Sequence, residues 1–402
     1  MKKIVWIIIL FLPFFNFFVF PNISVADIGL AIACFSLFFK SKNSIFILRL
    51  KQNIYFIIFL IWTIISSLFI FLNPENDYFV FTGLIKNLLR FTMIIYIFTN
   101  IRYLLWNHYL LNYAINLWIK VIYFICILGF VEYFLQFFGI YYSYYFEGIT
   151  TTTSRQLSES FRISSIFNEP SYLVIYLNFS LLTISEFFKR NKTFSKKTYV
   201  RLLITIFITT AIAQSLVGVV LFLYIIFIYR NRIFDTNNNQ LFVLFSISVF
   251  TILLFYLNIE RLQRISEFQD GSSNHRLLGS FELANKIFQS DYVITGVGIG
   301  QHKHFLINKS YVFDYHFFMK SVSRNSGVNN MFTLIFFQTG IIGLFIYLVL
   351  LFNIFKKRKS IFLFSLISGF GWAFTFNPLY WFSISILHLL INAKQKNPIH
   401  IN

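Results

Sequence analysis

The sequence predicts an all-α protein: a polytopic bundle of transmembrane helices forming a single membrane domain over residues 1–402. Three observations predict it. Only 12% of the residues are charged, about half the ~25% usual in soluble domains. Mean hydropathy is +0.69. Several apolar stretches reach the ~20 residues that a helix needs to cross a bilayer. The 57 phenylalanines, with abundant Ile, Asn and Lys, read as compositional bias and carry no functional message.

The stretches give about twelve spans, at 4–20, 23–39, 54–72, 79–99, 114–138, 171–188, 202–213, 216–229, 241–258, 329–352, 360–376 and 378–391. The first begins "MKKIVWIIILFLPFFNFFVF". Lys2, Lys3 and the apolar run resemble a signal peptide, but no small-x-small cleavage site follows, so it reads as an uncleaved span. The halves at 202–213 and 216–229 are short, and Gln214-Ser215 is a poor turn. One long tilted helix is the alternative, and it would invert everything after it. Cys34 and Cys126 sit inside apolar runs and read as reduced packing residues, with no disulfide or metal signal.

Charge decides between the two topologies. There are 34 Lys and Arg against 15 Asp and Glu. With twelve spans and both termini inside, 21 of the 34 bases fall in inner segments and ten in outer ones, while 11 of the 15 acids fall outside. That is the positive-inside pattern. The single-helix alternative would place Lys356, Lys357, Arg358 and Lys359 outside, against the rule. The net charge of +19 therefore reflects orientation and contact with an anionic inner leaflet. It does not indicate nucleic acid as a partner.

Two outer segments are large, at 139–170 and 259–328. Loops longer than ~15 residues are usually functional or disordered. The second is expected to be partly helical. In "SSNHRLLGSFELANKIFQS" (272–290), Ser272 or Ser273 can cap a helix, and Leu277, Phe281, Ala284 and Phe288 recur at helical spacing. It is too polar to span and is expected to lie on the membrane surface. "TGVGIGQ" follows, with Gly296, Gly298 and Gly300. No βαβ unit precedes these glycines, so they read as a close backbone turn past a neighbour and not as a nucleotide loop.

The candidates for chemistry cluster in the outer segments. Arg162 and Arg276 carry the planar fork that suits pyrophosphate; lipid phosphates and loop carboxylates are the plainer partners. Glu169 precedes Pro170, which suits the first turn of a helix. Its carboxylate there is either a partner for the helix dipole, worth ~0.3–1 kcal/mol, or a base or orienting group for a hydroxyl. Within the spans lie Asp27, Lys86, Arg90, Lys120 and Glu132. Charged groups there face a cavity or one another. Lys86 and Arg90, four apart on one helix face, can pair with Asp27 or Glu132 or meet a lipid headgroup. His302, His304 and His316 are irregularly spaced, without cysteines or clustered carboxylates to complete a metal site. No Walker, Gly-x-Ser-x-Gly or Asp-x-Asp motif is present.

Three stretches carry a resemblance. "RISSIFNEPSYLVIYL" (162–177) resembles the Arg-x-Ser-x-x-Phe-x-Glu-Pro-Ser stretch of Wzy-type O-antigen polymerases. Residues 272–301 resemble the region of the O-antigen polymerase and ligase superfamily where an Arg precedes Gly-x-Gly-x-Gly by about twenty residues. "NNMFTLIFFQTGIIG" (329–343) resembles its last signature through Asn330, Gly340 and Gly343, with Asn329 where the ligases carry His.

The resemblance implies a metal-independent glycosyltransferase of the bacterial inner membrane, in the pathway to lipopolysaccharide or another surface polysaccharide. It would join undecaprenyl-pyrophosphate-linked oligosaccharide repeats at the periplasmic face, without cofactor. Its core would be similar to those of lipid-dependent (GT-C-like) glycosyltransferases. Arg162 and Arg276 would hold pyrophosphate, Asn168, Asn329 and Asn330 would belong to the substrate site, and Glu169 would activate or orient the acceptor. Membrane lipid and a chain-length regulator are the implied partners. An O-antigen ligase and a flippase for lipid-linked repeats are the alternatives.

Overall fold

The computed structural model describes residues 1–14, 18–20, 23–40, 54–73, 79–140, 163–167, 170–191, 194–233, 263, 267, 278–308, 330–371 and 377–392. The helices are α1 (Lys2–Phe11), α2 (Val25–Lys40), α3 (Ile54–Leu72), α4 (Phe81–Leu104), α5 (His108–Gln136), α6 (Pro170–Arg190), α7 (Lys196–Ile212), α8 (Leu216–Ile233), α9 (Leu278–Phe288), α10 (His302–Asn308), α11 (Met331–Phe355), α12 (Lys359–Gly371) and α13 (Pro378–Asn392). A two-stranded ribbon, β1 (Phe18–Phe20) and β2 (Ile23–Ser24), is antiparallel. The protein is thus all-α and membrane-like. Among the described residues, five segments within α3, α4, α5, α6 and α11 are long and apolar enough to cross a bilayer, and four further apolar helices are shorter. The span expected at 241–258 lies outside the described residues.

Local chemistry sets the helix starts. Asn107 caps α5 by accepting from the Tyr109 amide at 2.9 Å. Ser195 caps α7, and Pro170 opens α6 where its missing N–H costs nothing. Ser24 and Asp27 cap α2 reciprocally. The Ser24 amide donates to Asp27 Oδ2 at 3.0 Å and the Asp27 amide to Ser24 Oγ at 3.2 Å.

The first expected span is corrected. α1 stops at Phe11, a 3-10 turn containing Pro13 follows, and the chain then doubles back through the ribbon. Ten residues rise only about 15 Å, half the ~30 Å of a hydrocarbon core. Proline has no N–H with which to continue the helix.

The ambiguity at 202–229 is settled in favour of two helices. Gln214 takes a left-handed φ of 50° and breaks the chain between α7 and α8. Tyr199, near the start of α7, meets Ser185 at 2.7 Å, and Tyr229, near the end of α8, donates to Glu186 at 2.8 Å. The two legs return to adjacent residues of α6, so they form a hairpin. Asn178 donates to the Gly218 carbonyl at 3.1 Å further along.

Contacts at the helix ends fix how the bundle is ordered. Glu186 is fully buried. It accepts from Arg190 at 2.8 Å and from Arg358, beyond the end of α11, at 2.7 Å. Arg102, near the end of α4, meets His388 of α13 at 2.8 Å. At the far end of α12, Gly369 packs against Met331 and Phe332, and Gly371 against Ile175. α6 and α11 therefore run in the same direction, from an end near residues 170 and 331 to a basic end near 190 and 358. Between the ends, Trp118, Tyr176, Tyr347 and Trp381 fill an aromatic core.

Candidate functional site

The end opposite the arginine cluster gathers the described parts of all three motif stretches. In the first, Ile163 through Phe167 are buried against α5. The Glu132 carboxylate, 4% exposed, accepts the amides of Ser164 and Ser165 at 2.7 and 2.6 Å and the Ser164 hydroxyl at 3.2 Å. The Ser165 hydroxyl donates to the Ile125 carbonyl at 2.8 Å. Ser165 holds a left-handed φ of 52°, a strained state that its surroundings must impose. The segment between Arg162 and Asn168 is thus nailed down by a carboxylate 32 residues earlier.

The second and third stretches form one unit. Gly340 interrupts α11 with φ 69° and ψ −174°, a conformation essentially confined to glycine. The break exposes backbone groups that must find partners. Val297 donates to the Phe337 carbonyl at 2.8 Å and Gly298 to Gln338 at 3.1 Å, while Ile341 donates to Val293 at 2.9 Å. Trp62 of α3 donates its indole N–H to the Thr339 carbonyl at 2.8 Å. A Cβ on Gly296 would lie 2.5 Å from the backbone of Gln338 and Thr339, and one on Gly340 would collide with the Ile294 carbonyl. The Gly-x-Gly-x-Gly segment is a close backbone turn, as its glycines predict. Gln301 then clips the loop to the start of α4 through both directions of its amide, at 2.8 and 2.9 Å from Val80.

No known family profile and no curated protein matches the chain. The resemblance therefore rests on its own residues.

Of the six residues expected in the site, the structure describes Asn330. It is buried and caps α11, its Oδ1 accepting the amides of Phe332 and Thr333 at 3.0 and 3.2 Å. That bond accounts for an Asn at this position without a substrate. Arg162, Asn168, Glu169, Arg276 and Asn329 lie outside the described residues.

The charges within the spans divide their partners. Arg90 takes Asp27, with Nε 2.6 Å from Oδ1 and a second contact through Nη2. This bidentate pair lets Asp27 cap α2 while neutralising the arginine. Glu132 takes the Ser164 and Ser165 amides described above.

One expectation changes. α9 buries Ser280, Leu283 and Ile287 against α11, whereas Phe281 and Phe288 are exposed. The expected stripe of Leu277, Phe281, Ala284 and Phe288 was about a third of a turn off, and Leu277 lies outside the described residues. The segment after α9 packs its backbone against α11, the close approach that its glycines predict. Sequence reasoning also passed over Glu186. Its signal was the four-residue spacing to Arg190, hidden because both lie at the end of an apolar run.

Proposed function

We propose that the protein polymerises undecaprenyl-pyrophosphate-linked oligosaccharide repeats at the outer face of the bacterial inner membrane. The observation that carries this reading is the convergence of the three motif stretches. They are 130 residues or more apart from first to last in the sequence, yet Ile175 and Met331 both pack against the last turns of α12, and Val297 bonds to Phe337.

The reaction needs a hydroxyl oxygen of the acceptor sugar to attack the anomeric carbon of the growing chain. The carbon–oxygen bond to pyrophosphate breaks, and its electron pair leaves with the phosphate. Arg162 and Arg276 neutralise that leaving group with charge-assisted bonds. Glu169 takes the proton of the attacking hydroxyl. The nearby tether from Glu132 fixes Ser164 and Ser165 within the first motif stretch, which suits positioned chemistry.

Deleting the gene and resolving the surface polysaccharide on a gel tests the reading. Single-repeat capping is the expected result. Loss of all capping would assign a ligase instead, and lipid-linked repeats accumulating on the cytoplasmic side would assign a flippase.

A further inference from the structure

Ile294 sits in a loop and is 53% exposed beside exposed apolar residues of α11. Ile341 is 45% exposed and Phe345 67%. The contact is direct, because the Ile341 amide donates to the Val293 carbonyl and the Ile294 carbonyl fills the gap at Gly340. We propose that residues 293–301 form a re-entrant element lodged in the hydrocarbon of the outer leaflet, with Ile294 in contact with lipid acyl chains. The proposal rests on the membrane reading of α3 and α11 and not on the polymerase reading.

Depth follows from helix geometry. α11 has 25 residues and rises about 37 Å, so it overhangs a ~30 Å hydrocarbon core by a few Å at each end. Gly340 is the tenth residue, about 14 Å along. That places Ile294 roughly 10 Å below the outer boundary of the core.

Irregular backbone survives at such depth only where protein satisfies it, and six of the nine amides in 293–301 donate to protein acceptors. Gly296 donates to the Tyr292 carbonyl at 2.7 Å, and Val297 and Gly298 donate to α11 as described. Ile299 donates to the Ser67 hydroxyl of α3 at 3.1 Å. Val297, Gly298 and Ile299 are buried. What remains outward is an isoleucine. A loop exposed to water would have no need to export its amides to a broken helix and a serine of a second one. Asp291, exposed three residues earlier, is the polar reference position beside it.

The test uses the full chain with Cys34 and Cys126 replaced by Ala, reconstituted in liposomes of phosphatidylethanolamine and phosphatidylglycerol. Ile294→Cys is labelled with an environment-sensitive fluorophore, beside Asp291→Cys and Phe345→Cys. Nitroxide lipids spin-labelled part-way down the acyl chain should quench position 294 more than headgroup nitroxides do. A charged, impermeant maleimide should react at 294 about tenfold more slowly than at 291, because the hydrocarbon excludes it. Stronger quenching from the headgroup or from aqueous iodide would overturn the proposal, as would no quenching by any lipid. Should the variant fail to fold, the unaltered protein photolabelled with a diazirine phospholipid decides. Adducts on residues 293–295 support lipid contact, and their absence beside labelled Ile341 or Phe345 defeats it.

Discussion

The Arg358 guanidinium lies 2.7 Å from the Glu186 carboxylate across 172 residues of sequence. One residue stands near the end of α6 and the other just beyond α11, so the contact makes those two helices co-directional. It also ties the basic segment 356–359 to the same end of the bundle as Lys189 and Arg190.

That end should face the cytoplasm. Lys192→Cys should resist an impermeant thiol reagent in intact spheroplasts, while Ser158→Cys and Ser310→Cys should react. Labelling at 192 with protection at 310 would reverse the orientation.

The same contact predicts a stability defect. Glu186 is fully buried, and both arginines point at it. Glu186→Ala leaves two like charges facing each other. Breaking a buried pair this way costs about 3–5 kcal/mol. The detergent-solubilised variant should melt well below the parent. Glu186→Gln, which can still accept from Tyr229, should fall between them. An unchanged melting temperature for the Ala variant would show the cluster to be a surface pair of little weight.

Arg162→Ala and Arg276→Ala should abolish polymerisation without lowering protein level. Lysine at either position should rescue only in part, since a point charge cannot reproduce the fork. Near-parental chain length in either Ala variant would remove that arginine from the site.

Glu169→Gln separates two roles. A dipole partner lost this way costs at most about 1 kcal/mol and leaves long chains. A lost general base slows the reaction by ~10²–10⁴-fold and collapses the ladder to single repeats, the outcome expected here. Glu169→Asp should lie between. If the Gln variant expresses normally and builds full-length polysaccharide, the base lies elsewhere, with Glu159, Glu282 and Asp291 next to test.

Gly340→Ala should be severe. It forces a Cβ into the Ile294 carbonyl and a side chain into a backbone state that costs ~1–3 kcal/mol even without the clash. Little folded protein should be recovered by size-exclusion chromatography, whereas Gly83→Ala, whose Cβ would meet nothing closer than 3.5 Å, should behave like the parent. Normal yield of Gly340→Ala would mean that the break can close.

Much of this was legible in the sequence, and the residues show where legibility stops. Hydropathy found α3 at its observed boundaries and α13 within one residue. Lys86, Arg90 and Asp27 announced a pair, though spacing could not choose between Asp27 and Glu132. The glycines at 296, 298 and 300 announced a close approach without naming what was approached. The break at Gly340 left no mark in hydropathy, because an apolar run looks the same whether its carbonyls bond within the helix or to Val297 and Gly298. Pro13 was readable as a helix stop, but the length of the apolar run outweighed it. Of the expected site, Arg162, Asn168, Glu169, Arg276 and Asn329 lie outside the described residues, and their roles remain those that the motif order suggests.

The partners of the break in α11 have one more property in common. Trp62, Val293, Val297 and Gly298 all precede Phe337 in the chain. A ribosome therefore completes every one of them before it makes the helix that needs them. Had the order been reversed, a freshly inserted α11 would have waited in lipid with open carbonyls, each an expense of several kcal/mol. As built, the vacant berth is waiting when the broken helix arrives. Circular permutation that moved residues 289–301 behind α11 would keep every contact of the finished protein and still lose that order of assembly.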